Sequence, residues 1–299
     1  MIDLHVHSNY SDGLYTPARV MEIAARDGLT SVALCDHDCI LGLSEAQRRA
    51  KELDIEFIPG IELTINRTEE KDNADEVHMV GLFVKPTPRL KAIHTDIKKE
   101  QDAFAYDLAA SIRKHLGLPV NVDDMRSCFH GAITMGAFGE YMLQKGMIDT
   151  FAERKAITER LIAEGKLHAK PEFGISAREA IDAIHEAGGL AILAHPYRMK
   201  LPDQVLFEKI KRYKAMGLDG LECYYTHYRK NSIQKIQKSL QMASVLGLLI
   251  SGGSDYHKDT PQGRFQNDGP IPDFVLNDLK KAQALRDHIK WKYFGKPRD

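Results

Sequence analysis

Cysteine is scarce: four residues in 299, Cys35, Cys39, Cys128 and Cys223, scattered through mostly apolar surroundings. That pattern argues against a disulfide framework and fits reduced thiols in a cytoplasmic protein. Cys35 and Cys39 form a Cys-x3-Cys pair, but cysteine in an apolar run is commonly just a small hydrophobe. An excess of either charge is also missing. Lys and Arg number 41, Asp and Glu 42, for a formal net charge of −1. No global basic field therefore offers a grip on long duplex nucleic acid or an anionic membrane. No apolar run is long enough to span a bilayer and no basic-then-apolar leader opens the chain, so the expectation is a cytoplasmic protein that meets no membrane. Nor is there a Gly-x-Ser-x-Gly elbow, a Walker loop, an internal repeat or a low-complexity tract, which leaves serine-nucleophile and P-loop chemistry without a basis.

What is present is an ordinary globular composition, 43% hydrophobic and 28% charged, enough for one large domain or a domain with an insert. Local signals alternate between strand and helix. "TPARVMEIAARDG" offers Thr16 as N-cap, Pro17 at the first helical position and Gly28 as a stop. It is followed by the strand "TSVALCD", a helix from near Ser44, and the strand "IEFIPGIEL". The rhythm returns late, with a Ser176 to Glu179 capping box opening a helix. The strand "LAILAHP" comes next, then a helix from about 202 to 216, "LDGLECYY", a helix over roughly 230 to 246, and "LLISGGSD". Repeated αβ units predict parallel pairing in a barrel or a doubly wound sheet. Between the two halves the pattern is helical without a convincing β run. The expected organisation is a discontinuous barrel from 1–90 and 173–290, with a helical insert over 91–172.

The strand ends carry a pattern that a core does not need. In "DLHVHSNYSDG" a period of two puts His5 and His7 on one side and Leu4 and Val6 on the other, with Asp12 in the turn beyond. "CDHD" contributes His37, "GIEL" Glu62, "EVHMV" His78, "LAHP" His195, and "SDYH" Asp255 and His257. Most lie at or near the C-terminal end of an apolar run, the rim where αβ barrels place catalytic groups. Any one of these histidines is unremarkable as a structural residue. Six of the 13 histidines converging with three carboxylates is the ligand chemistry of zinc, manganese or iron. Nine donors are too many for one tetrahedral ion, and Glu62 is suited to bridge two, so two or three divalent cations are expected. Such ions, roughly 3.5–4 Å apart, clamp both oxygens of an in-line displacement at phosphorus and lower the pKa of a bridging water.

In order and content, "DLHVHSNYSDG", "ALCDHD", "PGIEL", "LAHP" and "GSDYHKDTPQGR" resemble the PHP (polymerase and histidinol phosphatase) family of metal-dependent phosphoesterases. The long insert and "AIDAIHEAGGLAILAHPYR" resemble its branch that hydrolyses 3',5'-nucleoside bisphosphates and trims short RNA from the 5' end. The resemblance implies an α/β fold, a distorted seven-stranded (β/α) barrel of PHP type with a helical insert forming much of the substrate cleft. It also implies one ion on His5, His7, Glu62 and Asp255, a second on Glu62, His78 and His195, and a third on Asp12, His37 and His257. Asp12, His227 and His257 are the expected catalytic residues. Arg198, Arg264 and His227 are the expected contacts to a small phosphorylated substrate, a nucleotide or short RNA. Tyr224 and Tyr225 either stack on a base or belong to the core. No obligate protein partner is expected. One departure stands out: the branch commonly has a Thr-Arg-x-His-like stretch where this chain reads "ITMGAFGEYM", placing Met135 and Ala137 where polar substrate contacts belong. Histidinol phosphate hydrolysis and a closed, purely structural metal site are the competing readings.

Overall fold

A computed structural model of the chain describes residues 1–65, 77–225, 232–259 and 271–294. Seven strands form one sheet whose spatial order follows the chain: β1 (Ile2–Val6), β2 (Ser31–Leu34), β3 (Glu56–Thr64), β4 (His78–Leu82), β5 (Leu190–Leu193), β6 (Gly220–Tyr225) and β7 (Leu249–Gly253). The first and last strands meet. Val6 bridges Tyr256, the Asp255 N–H donates to the His5 carbonyl at 2.9 Å, and the His7 N–H donates to the Tyr256 carbonyl at 2.8 Å. The sheet is thereby drawn into the nearly closed barrel expected from the family resemblance.

Parallel pairing does not hold throughout. β4 runs antiparallel to both β3 and β5, while β1–β2, β2–β3, β5–β6 and β6–β7 are parallel. The segment "NRTEEKDNADE" between β3 and β4 has no apolar helical period to supply the crossover that a parallel return requires. β1 also departs from regular alternation. Leu4 packs with Ile58, Val80 and Ile192, whereas Val6 packs with Val20, Leu34 and Leu63, and the β1–β2 register shifts between Asp3 and Val6.

Helices α1 (Pro17–Arg26), α2 (Leu43–Glu52), α7 (Ala177–Glu186), α8 (Asp203–Ala215) and α9 (Ser232–Leu246) cover the sheet through an apolar layer that includes Val20, Ala46, Ile184, Ile210 and Ala243. The caps read from sequence form: the Thr16 hydroxyl accepts from the Arg19 N–H at 3.2 Å, and the Ser176 hydroxyl from the Glu179 N–H at 3.1 Å. Helix α10 (Asp273–Phe294) sends Val275, Leu276 and Leu279 into a cluster with Leu4, Ile58, Leu190 and Ile192.

Four more helices, α3 (Pro88–Leu116), α4 (Val122–Cys128), α5 (Met135–Gln144) and α6 (Phe151–Ala163), close around an apolar cluster of their own, with Phe104, Leu108, Phe129, Phe138 and Leu161 at its centre. Ala137 is buried there and Met135 packs against it, so the two residues that stand where the resemblance leads one to expect polar substrate contacts serve packing. The start of α5 presses on the loop that carries Asp12. Asn9 donates to the Cys128 carbonyl, the His130 N–H donates to the Asn9 carbonyl, and a Cβ at Gly136 would lie 2.0 Å from Asp12 Oδ2. All four cysteines are free thiols. Among the described residues no helix is long and apolar enough to cross a membrane.

Candidate metal centre

All nine donors singled out in the sequence come together at one end of the barrel. β1 presents His5, with His7 just past it, and His37 follows β2. β3 supplies Glu62, while His195 follows β5, and Asp255 and His257 follow β7. His78 arrives differently. It is the first residue of β4, and because that strand is reversed its beginning lies beside the ends of its neighbours, with His78 paired to Thr64.

Glu62 is fully buried at the centre. Its Oε2 lies 3.2 Å from His5 Nε2, 3.3 Å from His7 Nε2 and 3.1 Å from His37 Nδ1; its Oε1 lies 3.1 Å from His78 Nδ1 and 2.9 Å from His195 Nε2. Each oxygen thus faces a separate set of imidazoles. Asp255 Oδ1 is 3.0 Å from His7 Nε2 and 3.7 Å from His257 Nδ1, and Asp12 Oδ1 is 3.2 Å from His257 Nε2 and 3.9 Å from His37 Nε2. Three sets of donor atoms are compact enough to hold an ion: His5, His7, Glu62 and Asp255; His37, Glu62 and His78; and His7, Asp12, His37 and His257. His37 takes the place beside Glu62 and His78 that the family resemblance gives to His195, which belongs to none of the three sets, and His7 appears in two.

Two features suit this cluster to cations. His5 Nε2 and His7 Nε2 approach to 3.1 Å, where two lone pairs converge unless one of these nitrogens carries a hydrogen. Among the described residues, the buried atoms Glu62 Oε2, His37 Nδ1 and Asp12 Oδ1 have no hydrogen-bond partner, although buried polar atoms are nearly always satisfied. Divalent cations in the three sets would satisfy the atoms facing them, so the donors fit such ions.

The electrostatics agree. Burial raises the Glu62 carboxyl, yet the charges of His5, His37 and His78 reverse that and hold it well below the usual range. Burial works against a charged His5, but Glu62 and Glu222 keep it well above the ordinary histidine value. His7 is pushed down to about 3 by burial and by His257 beside it. His257 is carried up to about 10: Asp12 and Asp255 outweigh its burial. Asp255 and Asp12 are likewise held low by neighbouring imidazoles despite burial. Without cations, protons on His5 and His257 supply the positive charge that the carboxylates demand.

The backbone is strained at two donors: His195 has φ 26° and Asp255 φ 53°, in a region that disfavours side chains other than glycine. Each is held from behind. Glu222 takes the His195 N–H on Oε2 at 2.6 Å and meets His5 Nδ1 with Oε1 at 3.0 Å. Asp255 Oδ2 accepts from the Tyr225 hydroxyl at 3.0 Å and from Arg198 Nη1 at 3.1 Å. Tyr225 is buried, so its hydroxyl steadies a donor and its ring is not an open stacking face. Arg198 meets the cluster through Asp255 while keeping 41% of its side chain exposed. Asp36 accepts from the Ser8 N–H, Ser8 hydroxyl and Ser11 hydroxyl and so fixes the loop leading to Asp12. His227 and Arg264 lie outside the described residues. Sequence reading missed Glu222; a lone carboxylate inside the apolar run "GLECYY" was the available signal.

Comparison with known proteins gives the same direction. The PHP domain family matches residues 3–236. The 5'-3' exoribonuclease of Haemophilus influenzae is 32% identical over 257 residues, covering 85% of this chain and 89% of that protein. The 3',5'-nucleoside bisphosphate phosphatase of Chromobacterium violaceum is 29% identical over 273 residues, covering 88% of this chain and 89% of its own. A sulfate-bound amidohydrolase structure from Chromobacterium violaceum superimposes with a TM-score of 0.78 at 28% identity, covering 94% of this chain and 96% of the other. A family match across most of the chain, together with a barrel whose rim gathers six histidines around a buried glutamate, makes this protein a member of the PHP domain family.

Proposed function

We propose that this member of a phosphoesterase family hydrolyses the phosphate ester of a small nucleotide, a 3',5'-nucleoside bisphosphate or the 5' end of short RNA, with two or three divalent ions held by His5, His7, Asp12, His37, Glu62, His78, His195, Asp255 and His257. The observation that carries the reading is Glu62, whose two oxygens face different imidazole sets, as a carboxylate bridging two cations would. The relatives named for nucleotide and RNA hydrolysis support the substrate class. Bound divalent ions supply Lewis acidity at the phosphoryl oxygens and acidify a water.

The chain's own groups do the rest. Arg198, partly exposed and oriented by Asp255 and Tyr225, is the guanidinium placed beside the cluster to meet a phosphate oxygen. Asp12 and His257, paired at 3.2 Å, form the proton-handling edge of the cluster. Glu222 keeps the His5 ring in one orientation by holding its Nδ1. The helical segment 91–172 is proposed as the cap over this end of the barrel, since α5 abuts Asp12.

The test is phosphate release by protein stripped with a chelator and reloaded with manganese, iron or zinc. Substrates are a 3',5'-bisphosphate, a 5'-phosphorylated short RNA and histidinol phosphate. Turnover of the first two is expected, and Glu62→Gln reduces it to background. Full activity in that variant refutes the bridging role, and preference for histidinol phosphate refutes the nucleotide assignment.

A further inference from the structure

Helix α5 leads from the Asp12 corner to a surface that the metal cluster does not use. Gly139 lies three residues beyond Gly136, about 5 Å further along the helix, and Phe151 rests against it: a Cβ there would come within 2.7 Å of the ring. Phe151 is nevertheless 42% exposed. Lys258, which follows His257 in the chain, places its Nζ 5.7 Å from the Phe151 ring centroid and is tied to Glu140 of α5 at 2.5 Å. Arg154, on the first turn of α6, brings its Nε within 3.6 Å of the same Cβ position.

Arg154 is the unusual member. Its Nε is buried without a hydrogen-bond partner, and the carboxylate that acts on it electrostatically is Glu159, five residues on. Burial lowers its pKa by more than the Glu159 carboxylate restores. A guanidinium in that condition favours an incoming anion, and its planar fork suits phosphate. An exposed aromatic ring flanked by two cations is the chemistry by which single-stranded nucleic acid is held, with the base on the ring and the backbone on the charges.

Resting on the nucleotide reading above, we propose that Phe151, Arg154 and Lys258 form a subsite for the nucleotide following the one whose phosphate is hydrolysed, so that the chain favours short single-stranded RNA over a lone bisphosphate. Phe151 stacks on the base of that nucleotide; Arg154 and Lys258 receive the phosphate on its 3' side, one linkage beyond the phosphate that is hydrolysed.

The test compares kcat/KM for a 5'-phosphorylated tetraribonucleotide with that for adenosine 3',5'-bisphosphate in the wild type, Phe151→Leu and Arg154→Gln. The leucine keeps apolar volume on Gly139 while removing the aromatic face. The ratio is expected to fall about tenfold in each variant, within the range for loss of one base stack. Binding of a fluorescent tetraribonucleotide to chelator-treated protein should weaken by a similar factor. An unchanged ratio, equal losses on both substrates, or undiminished binding overturns the subsite. Wild-type protein that hydrolyses neither substrate refutes the phosphoesterase reading instead, and the binding measurement still decides the subsite.

Discussion

Gly136 tests whether the helical segment and the metal cluster act as one unit. It occupies the second position of α5, and a Cβ there would lie 2.0 Å from Asp12 Oδ2, 2.9 Å from its Cγ and 3.0 Å from its Cβ. On helix propensity alone, Gly136→Ala would stabilise by at most about 1 kcal/mol. The steric term opposes it. A carbon–oxygen contact needs more than 3 Å, so the carboxylate or the helix has to move by about 1 Å, and overpacking of that kind costs about 1–3 kcal/mol. The net expectation is destabilisation of about 1–2 kcal/mol in metal-free protein, together with a loss of turnover of at least tenfold as Asp12 is displaced from His257. The decisive assay is a double-mutant cycle by urea unfolding. In an Asp12→Ala background the carboxylate is gone and the remaining contact is the tight but tolerable one at 3.0 Å. Gly136→Ala should then be neutral or stabilising, giving a coupling of about 1–3 kcal/mol. Equal destabilisation in both backgrounds would refute the account, because the clash would then lie elsewhere.

Glu222→Gln should weaken affinity for divalent ions by about 10- to 100-fold, the usual consequence of losing an outer carboxylate behind a histidine donor; unchanged affinity by calorimetry would show that His5 needs no such support. Tyr225→Phe removes the hydroxyl from Asp255 Oδ2 while keeping the buried ring, so a loss of about 1 kcal/mol in stability is expected, and a variant with wild-type stability and turnover would dismiss that contact. Burial raises the Asp3 carboxyl from 3.8 to about 7, despite hydrogen bonds from Ser254 and the His5 N–H. The folded state then binds a proton that the unfolded chain has released, so the contribution of Asp3 to metal-free stability should fall as pH rises from about 4 to 7, against the rise that His7 gives over part of the same range. Asp3→Asn should flatten that part of the pH profile, and an identical profile in the variant would remove Asp3 as its source.

The donors were legible in the sequence because each announces itself locally: a histidine or carboxylate just past a short apolar run marks a strand end without any knowledge of its neighbours. His5 and His7 needed only the period of a strand, and Asp255 and His257 only "SGGSDYH". Strand direction is different. Nothing in "HMVGL" says which way β4 runs, and only its pairing with β3 and β5 shows why a histidine at the start of a strand joins residues at the ends of others. Glu222 was hidden for a related reason, since its partners, His5 and the His195 N–H, are distant in sequence. Arg154 gave no signal either, because the burial of an unbonded Nε exists only in three dimensions.

The seam between β1 and β7 joins Asp3 to the Ser254 N–H, 251 positions away. In the same place it sets His5 and His7 against Asp255 and His257. A ribosome releases these two groups of donors at opposite stages of synthesis, so a nascent chain holds the first histidines long before their partners exist. Contacts of such high sequence separation form late and slowly. High-affinity metal uptake should therefore wait for the seam to form, and the ions would register that the polypeptide has been made as far as β7 and folded back onto its beginning.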